Sequence, residues 1–254
     1  MPISSSEDQF NANASKYAVS DVHRAGPSLP VLLELAAPVA SDYALDVATG
    51  TGHTALAVAG YVKREIGLDI ASKMLEQAER LAIERGISNC EFVKGSAEAM
   101  PFASGQFSLV TARLAPHHFH RADIFLLEVR RVMTCDGRFV MVDQITPSIE
   151  MLDWVNEWER IRDPSHFDQR TVEQWKSEAV KAGFRWIGHQ IVPYRLEFAW
   201  WVKQAGCDNA TIATLKEHAK NANALVRELF GLEFDKSGIV KSFQEPMLVV
   251  RLEQ

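Results

Sequence analysis

The stretch that most constrains the fold is YALDVATGTGHTALAVA, residues 43–59. Its first part, Tyr43 to Val47, predicts a short buried strand, because the run is apolar, β-rich and too short for a helix. Gly50 and Gly52 follow in a turn, where glycine permits a positive φ and lets a ligand approach bare backbone. The residues from Thr54 onward predict a helix whose N-terminal amides face the same crevice. Strand, glycine turn and helix together indicate a nucleotide-binding corner of an open parallel α/β sheet.

Two acidic residues bear on which nucleotide binds at this corner. The run GTGHTA also fits the dinucleotide fingerprint G-x-G-x-x-G/A, which is a weak signal on its own. Asp46, four residues before the first glycine, would repel a pyrophosphate but favours the ammonium and sulfonium groups of S-adenosylmethionine (SAM). Asp69 ends the next apolar run and suits the vicinal hydroxyls of a ribose, which NAD also carries. We therefore favour SAM over NAD, and over a structural turn with a solvated acid.

The composition narrows the class of protein further. The 254 residues, 47% of them hydrophobic, suffice for one α/β domain. A net charge of -6 without a basic run disfavours a nucleic-acid partner, which needs clustered Lys and Arg. The three cysteines are far apart and form no C-x-x-C pair, so we expect a reducing, cytoplasmic location. We see no apolar leader segment, and no apolar run long enough to span a bilayer.

Apolar runs and helical segments alternate through residues 41–146. The predicted strands are Tyr43–Val47, Val62–Asp69, Cys90–Lys94, Phe107–Thr111 and Arg138–Asp143. Helices are predicted at 71–85 and 124–133, the second ending at a turn formed by Asp136 and Gly137. This alternation predicts a doubly wound, Rossmann-like sheet with right-handed crossovers. Ligands bind such sheets at the carboxyl ends of the strands, where polar loops follow the third and fourth strands.

The flanking segments predict additions to this sheet within a single domain. Residues 1–40 predict an N-terminal helical cover, with a frayed end and helices near 10–17 and 29–35. Residues 147–254 predict a C-terminal helical lid and the last strands, giving about seven strands in all. The predicted lid helices cover 151–161, 171–182, 198–202 and 209–230, and the strands 186–196 and 247–252. The second of these helices opens with a capping box, Thr171 and Gln174.

All six tryptophans lie in the lid segment. We interpret them mainly as large apolar anchors, the alternative being walls of an apolar, aromatic substrate pocket. Adjacent Trp200 and Trp201 cannot both face inward from one helix, so at least one is expected at a cleft or an interface.

Five runs carry a family resemblance: LDVATGTGHTALAVA, IGLDIASKMLEQA, EFVKGSAEAMPF, FSLVTARLAPHHF and FLLEVRRVMTCDGRFVMVD. With them the chain resembles class I SAM-dependent methyltransferases of the ubiquinone/menaquinone-biosynthesis kind (methyltransferase type 11). It is most similar to a bacterial branch of unassigned substrate, which has GHTALA, an HHF run after the fourth strand and a later LRDPSH, here Ile161–His166. The chain also matches the N-terminal pattern of that branch, at Gln9, Phe10, Tyr17, Ser20 and His23. The resemblance covers nearly the whole chain.

The resemblance implies a set of SAM-binding residues. Those implied for the methionine part are Asp46, Ala48, Thr49, Gly50 and Gly52. Those implied for the ribose and adenine are Asp69, Ile70, Met74, Ser96, Ala97 and Glu98. Arg113 and Leu114 are implied to lie beneath the cofactor, near its methyl group.

Two positions depart from the family pattern, which usually has Asp where Ser96 and Ser108 stand. A serine hydroxyl can still accept a hydrogen bond from the adenine amino group, but the bond is neutral and weaker. We therefore expect SAM binding to survive, with lower affinity.

Methyl transfer is an in-line displacement in which the protein mainly aligns the acceptor. A general base helps when the acceptor is a hydroxyl or an enolisable carbon. The candidate catalytic bases are His117, His118 and His166, with Asp163 as the residue that would orient His166. Each histidine has a purely structural alternative, and His118 with His166 is the preferred pair.

Three further assignments in this region have alternatives. A metal site built from His117, His118, His120 and Asp123 is disfavoured, because adjacent histidines point apart. Asp143, ending the fifth strand, faces either cofactor or substrate. Arg162 either binds a substrate carboxylate or pairs with Glu159 one turn back, and the second is favoured.

The sequence thus predicts an enzyme that transfers the methyl group of SAM to carbon or oxygen of a small apolar or aromatic molecule. The resemblance points to a phenolic, quinone-like or polyketide-like acceptor. The alternatives are a SAM-fold protein that catalyses isomerisation or cyclisation, an NAD-dependent oxidoreductase, and a non-enzymatic binding module. We expect no nucleic-acid partner and no membrane span, and a homodimer through Trp200 and Trp201 is left open.

Overall fold

The computed structural model describes residues 6–18 and 24–254. Ser20, His23 and the predicted frayed end up to residue 5 lie outside the described residues. The helices are α1 (Ser6–Ala18), α2 (Ser28–Ala36), α3 (His53–Ala59), α4 (Ser72–Glu84), α5 (Ala122–Val132), α6 (Leu152–Arg162), α7 (Val172–Lys181), α8 (Phe198–Ala205), α9 (Asn209–Lys220) and α10 (Ala224–Leu229). The strands are β1 (Tyr43–Val47), β2 (Arg64–Asp69), β3 (Cys90–Lys94), β4 (Phe107–Arg113), β5 (Met133–Gln144), β6 (Arg185–Val192), β7 (Arg195–Glu197), β8 (Glu233–Phe234), β9 (Val240–Gln244) and β10 (Met247–Glu253).

Seven strands form one sheet in the order β3-β2-β1-β4-β5-β10-β6. The strands from β3 to β5 pair in parallel, and β10 is antiparallel to both of its neighbours. This confirms the predicted doubly wound sheet of seven strands with helices on both faces. The strand order reverses between β1 and β4, so the carboxyl ends of these two strands flank a crevice, the usual ligand site of such sheets.

Both faces of the sheet are buried, which explains why its central strands are almost continuously apolar. On one face Phe125 of α5 and Trp175 of α7 pack in a cluster with Phe107 and Phe139. On the other face Leu32 of α2 packs in a cluster with residues of β1, β4, β5 and β10. Helix α7 begins with the predicted capping box, in which the Thr171 hydroxyl accepts from Gln174 N and the Gln174 amide oxygen accepts from Thr171 N.

The lid has an apolar core of its own. Trp158 of α6 stacks on Trp201 of α8, with 4.9 Å between the ring centroids, and Phe243 of β9 lies edge-on to both. Phe230 and Leu215 complete the centre of this cluster. Trp158, Trp175 and Trp201 are among the largest fully buried side chains of the described residues, which agrees with their interpretation as apolar anchors.

Three predicted elements are wrong in more than the position of their ends. The strand predicted at 186–196 is divided at Pro193, which lacks an N–H: β6 pairs with β10, and β7 belongs to a second sheet of order β7-β9-β8 that the sequence did not predict. The helix predicted at 209–230 is divided at Asn223, whose side chain accepts from Val226 N and caps α10. The turn predicted at Asp136 and Gly137 lies inside β5, where the register against β4 shifts. No helix in the two described ranges is both long and apolar enough to cross a membrane.

Candidate active site

The glycine turn after β1 is tied to the end of β2 by a carboxylate. Gly50 N donates to Asp69 Oδ2 at 2.7 Å, and Ala71 N donates to Asp69 Oδ1 at 2.8 Å. Gly50 has φ +55°, and a Cβ built there would meet no atom within 4 Å. Burial raises the pKa of Asp69, although these backbone donors oppose the rise. The turn therefore presents open backbone and a fixed carboxylate side by side.

Two residues other than glycine also have left-handed backbone at this edge of the sheet. Ala48 follows β1 and Leu114 follows β4, each with φ +55°. Such a conformation costs an L-residue about 1–2 kcal/mol. Hydrogen bonds to neighbouring strands hold the adjoining backbone: Thr49 N donates to Leu68 O at 2.9 Å, and Leu114 N donates to Val142 O at 2.8 Å. Strain of this kind concentrates at functional sites.

An open cavity of about 1120 Å³ lies over this edge, and we call it the turn cavity. Its walls include every residue that the resemblance implied for SAM except Asp46 and Gly52: Ala48, Thr49, Gly50, Asp69, Ile70, Met74, Ser96, Ala97, Glu98, Arg113 and Leu114. The turns after β1, β2, β3 and β4 all contribute. The residues that the resemblance implied therefore make up just over half of the cavity walls.

Asp46 and Gly52 do not line the turn cavity. Asp46 is 1% exposed, and its Oδ1 accepts from Thr111 Oγ1 at 2.7 Å. Burial raises the pKa of Asp46 to about 6, although the Thr111 hydroxyl opposes the rise. A Cβ on Gly52 would lie 2.9 Å from Ala78 Cβ, so glycine is needed there for the packing of α4. The bare backbone expected at both glycines exists only at Gly50.

The two serine departures have different surroundings. Ser96 lines the turn cavity, and its Oγ accepts from Glu98 N at 3.1 Å. Ser108 is remote from it, because its Oγ donates to Asp42 Oδ1 at 2.7 Å and accepts from Tyr43 N at 3.1 Å. The change at Ser108 therefore concerns the start of β4 and not the cavity.

Helix α1 contributes walls that the sequence analysis did not assign to a site. Phe10 and Tyr17 line the turn cavity, while Ala14 packs with Ala71 and Met74. Other lining residues not assigned to the cofactor are Thr51, His53, Thr54, Ala115, His118, Phe119 and His120. The available signal was the N-terminal pattern of the resemblance, which includes Phe10 and Tyr17.

A second cavity, of about 880 Å³, adjoins the first and lies between the sheet and the lid. The two cavities share Phe10, Tyr17, Leu114 and His118. The other walls of this lid cavity are His117, Gln144, Glu159, Arg162, Asp163, His166, Tyr194, Leu196, Trp200, Trp201, Gln204, Glu245 and Met247. Trp200 and Trp201 both line it and both pack in the apolar core of the lid, so the expected cleft position is confirmed, whereas the expectation that they cannot both face inward is wrong.

The three candidate bases lie together in the lid cavity. The ring of His117 is 4.2 Å from that of His118 and 5.6 Å from that of His166, measured between centroids. His117 Nδ1 is 2.6 Å from Oδ1 of the fully buried Asp143. Because a carboxylate accepts, Nδ1 carries a proton, and in the neutral tautomer Nε2 is the nitrogen with the free lone pair. Asp143 itself lines neither cavity and is linked to the lid cavity only through His117.

The other two histidines are held neutral by their surroundings. His118 Nδ1 donates to Ser165 O at 3.0 Å, and burial, with a contribution from His117, lowers the pKa of His118 to about 3. Burial likewise lowers the pKa of His166 to about 2.

The residue that orients His166 is Asn156 and not Asp163. His166 Nε2 donates to Asn156 Oδ1 at 2.7 Å, an oxygen that also accepts from Gln169 N. Asp163 Oδ1 instead accepts from Ser165 N and Oγ, at 2.9 and 2.6 Å. The prediction for Asp163 is wrong because its short side chain closes a local turn.

The far end of the lid cavity is acidic. Arg162 Nη1 lies 3.7 Å from Glu159 Oε2, as favoured from the sequence, and the guanidinium stacks over the Trp201 ring at 4.7 Å. Glu245 is a second carboxyl group here, and burial raises the pKa of both Glu159 and Glu245. Among the described residues, no group of His, Cys, Asp and Glu has the arrangement of a metal site.

The comparisons with known proteins agree with this geometry. Residues 45–141 match the family model described as a methyltransferase domain. The chain is 33% identical, over 93% of its length and 94% of the relative, to the uncharacterized methyltransferase YcgJ of Bacillus subtilis (strain 168). The crystal structure of YcgJ superimposes with a TM-score of 0.84 at 31% identity, covering 89% of this chain and 97% of that one. The chain belongs to the class I SAM-dependent methyltransferases.

Two other relatives broaden this picture of the methyltransferase. The uncharacterized protein YafE of Escherichia coli (strain K12) is 27% identical over 72% of this chain and 89% of its own length. A ubiquinone/menaquinone biosynthesis C-methyltransferase, UbiE of Brucella anthropi, is 30% identical over 80% of both chains. Family membership decides between SAM and NAD in favour of SAM, and between enzyme and binding module in favour of enzyme.

The turn cavity of this methyltransferase fits SAM. The open Gly50 backbone leaves room for the ligand. SAM carries no phosphate group, so Asp46 and Asp69 would not repel it. Met74 and Ile70 supply an apolar surface for a purine beside the Asp69 carboxylate. These are properties of the residues themselves and do not depend on the comparisons.

Proposed function

We propose that this methyltransferase methylates an oxygen or carbon atom of a small acceptor that binds in the lid cavity. The observation that carries the proposal is His117, which lines the lid cavity, is paired with the buried Asp143 and lies beside His118, a wall of both cavities. The proposed base would therefore lie next to the boundary between cofactor and acceptor.

The turn cavity would bind SAM in the order that its walls suggest. The backbone at Ala48, Thr49 and Gly50 would hold the methionine part, supported from behind by Asp46. The ribose and adenine would be held by the residues after β2 and β3: Asp69, Ile70, Met74, Ser96, Ala97 and Glu98. Arg113 and Leu114 would lie near the methyl group. SAM, when bound, supplies an electrophilic methyl carbon and a thioether leaving group.

We propose His117 as the general base, in place of the His118–His166 pair. His117 Nε2 would accept the proton of the acceptor hydroxyl or enolisable carbon, while Asp143 holds Nδ1–H and stabilises the imidazolium. His118 and His166, with pKa values of about 3 and 2, are weak bases near neutral pH. Their neutral rings would instead accept hydrogen bonds and orient the acceptor.

The walls of the lid cavity support an acceptor with an apolar or aromatic body. Phe10, Leu114 and Met247 offer apolar surface, and Trp200 offers an aromatic face. Phe10 packs edge-on to His118, with 5.0 Å between centroids, so α1 covers the region between the cavities. This cover would exclude water from the base and the reacting atoms.

Binding and methyl transfer test the proposal separately. We expect S-adenosylhomocysteine to bind in calorimetric titration, and Asp69→Ala to weaken it about tenfold or more. With radiolabelled SAM and a panel of small phenols, we expect label in at least one acceptor. We expect His117→Ala to lower that rate about a hundredfold without changing S-adenosylhomocysteine affinity.

Two outcomes would contradict the proposal. Absence of S-adenosylhomocysteine binding would contradict the cofactor site. Binding without label transfer, together with isomerised or cyclised product, would instead support the non-methylating alternative.

A further inference from the structure

Within the described ranges, two buried carboxyl groups of the lid cavity each have one oxygen without a hydrogen-bond partner. Glu159 of α6 is 1% exposed, and Glu245, between β9 and β10, is 6% exposed. Both line the cavity, and Oε1 of each has no hydrogen-bond partner among the described residues. The two carboxyl groups interact with one another, and Glu245 also interacts with His117 and Asp143. Buried oxygens of this kind are costly unless a ligand or a shared proton satisfies them.

The charge balance at this end of the cavity favours a cation. Three carboxyl groups, Glu159, Asp163 and Glu245, face one guanidinium, Arg162. Asp163 is satisfied by Ser165, and Arg162 by Glu159 and the Trp201 ring. Tyr17 and the neutral His118 and His166 bring no positive charge, and His117 is paired with Asp143. These carboxyl groups would repel an anion, whereas a monovalent cation can take the place of a proton that Glu159 and Glu245 share.

The neighbouring side chains suit an ammonium group in particular. Tyr194 and Trp200 line the cavity with aromatic surface, which attracts a cation through the ring face. An ammonium has three N–H donors and no acceptor, so it can donate to Oε1 of Glu159 and to Oε1 of Glu245 at the same time.

We propose that the acceptor carries a protonated amine, which binds between Glu159 and Glu245. This inference rests on the proposed function, since it names the class of acceptor. Neither glutamate lines the turn cavity, whereas His118 lines both cavities. The amine therefore binds outside the cavity that would hold the cofactor. A protonated amine has no lone pair, so the methylated atom is a hydroxyl oxygen or carbon elsewhere in the acceptor.

Three probes of nearly equal size test the inference: tyramine, 4-ethylphenol and 3-(4-hydroxyphenyl)propanoate. They share a phenol and differ in a cationic, neutral or anionic end. Binding is measured by calorimetry near neutral pH with saturating S-adenosylhomocysteine. We expect tyramine to bind at least about tenfold more tightly than either other probe. Equal or weaker binding of tyramine, or none at about 10 mM, would overturn the inference.

Variants of the carboxyl groups locate the amine. We expect Glu245→Gln and Glu159→Gln each to reduce the tyramine preference to about twofold or less, with S-adenosylhomocysteine affinity unchanged. Glu157→Gln, on the exposed side of the same helix as Glu159, is the matched control and should keep the preference. Retention of the preference in both glutamine variants would overturn the inference. Should one variant fail to fold, the other decides.

A second measurement keeps the two proposals apart. Tyramine binding to the wild type should release a proton, seen as a difference in binding enthalpy between phosphate and Tris buffers, because the ammonium replaces the proton held by the carboxyl pair. Glu245→Gln should remove this difference. If a neutral phenol is methylated while tyramine shows no advantage, the inference fails and the proposed function stands. If no adenosyl ligand binds, the proposed function itself fails.

Discussion

Gly50 and Gly52 both have positive φ but have different surroundings. Gly50 is open toward the turn cavity, whereas a Cβ on Gly52 would press against Ala78 of α4. We expect Gly50→Ala to cost about 1 kcal/mol of unfolding free energy and to weaken S-adenosylhomocysteine binding about tenfold. Gly52→Ala should cost more stability, about 1–3 kcal/mol beyond the strain. Denaturant titration and calorimetry on both variants check this, and the reverse ranking of stabilities would refute it.

Asp143 acts through His117 in the proposed reaction. An amide at this position can donate to Nδ1, which stabilises the tautomer with its proton on Nε2 and removes the acceptor lone pair. We expect Asp143→Asn to lower methyl transfer about a hundredfold and to leave S-adenosylhomocysteine affinity unchanged. Single-turnover assays with labelled SAM measure the first, and calorimetry the second. An unchanged rate would remove His117 from the role of base.

Asp46 makes the stability of the protein depend on pH. Its pKa is raised from 3.8 to about 6 in the folded chain, chiefly by burial. The folded state thus binds this proton more tightly than the unfolded state, so the contribution favours folding below about pH 4 and is lost as the pH rises through about 6.

We therefore expect Asp46→Asn to flatten this dependence. An amide oxygen can still accept from Thr111 Oγ1. Relative to the wild type, the unfolding free energy of the variant should rise by up to about 3 kcal/mol as the pH is raised from about 4 to about 8. Denaturant titrations at the two pH values measure the change. The same pH dependence in both proteins would show that Asp46 does not titrate as inferred.

At the scale of elements, helix α1 is bound through a small apolar contact. Ala14 packs with Ala71 and Met74, while Ala12 on the same helix is exposed. We expect Ala14→Arg to displace α1 and weaken S-adenosylhomocysteine binding about tenfold, because Phe10 then leaves both cavities. Ala12→Arg makes the same substitution on the exposed side of the helix, so it is the matched control and should bind normally. Calorimetry compares them, and equal affinities would show that α1 is not part of the site.

How well an element was predicted depends on how local its signal is. Strand β1, the glycine turn and the capping box of α7 are encoded by residues close in sequence, and the structure confirms them. The division at Pro193 was missed because β6 and β7 differ in partners that are distant in the chain, β10 and β9. The division at Asn223 was missed although its signal is local. An Asn suited to capping stands there, but the residues on both sides continue a helical pattern.

At the scale of the whole molecule, the sheet and the lid have separate apolar cores. Trp158 and Trp201 belong to the lid cluster, and Trp175 belongs to the sheet cluster. Removal of a buried tryptophan side chain costs about 3–5 kcal/mol. We expect Trp158→Ala to accelerate amide hydrogen exchange in α6, α8 and α9 and leave β1 to β5 protected. Trp175→Ala is the matched control and should affect the sheet instead. Equal acceleration throughout the chain would mean that the two cores unfold together.

The same division explains which part of the site could be predicted. The turn cavity is built from turns that directly follow strands, so sequence motifs located most of its walls. The lid cavity combines Phe10, His117, Glu159 and Glu245, which no local pattern relates. The carboxylate partner of His117 and the acidic end became visible only with the fold.

The separate core of the lid has a consequence for how such enzymes diverge. The family model matches residues 45–141, a range that ends before α6 begins. Substitutions that reshape the lid cavity would change side chains that pack around Trp158 and Trp201, without disturbing the packing beneath the glycine turn. The substrate of such an enzyme can therefore change during evolution while its methyl donor stays the same. The two properties then evolve at different rates within one gene.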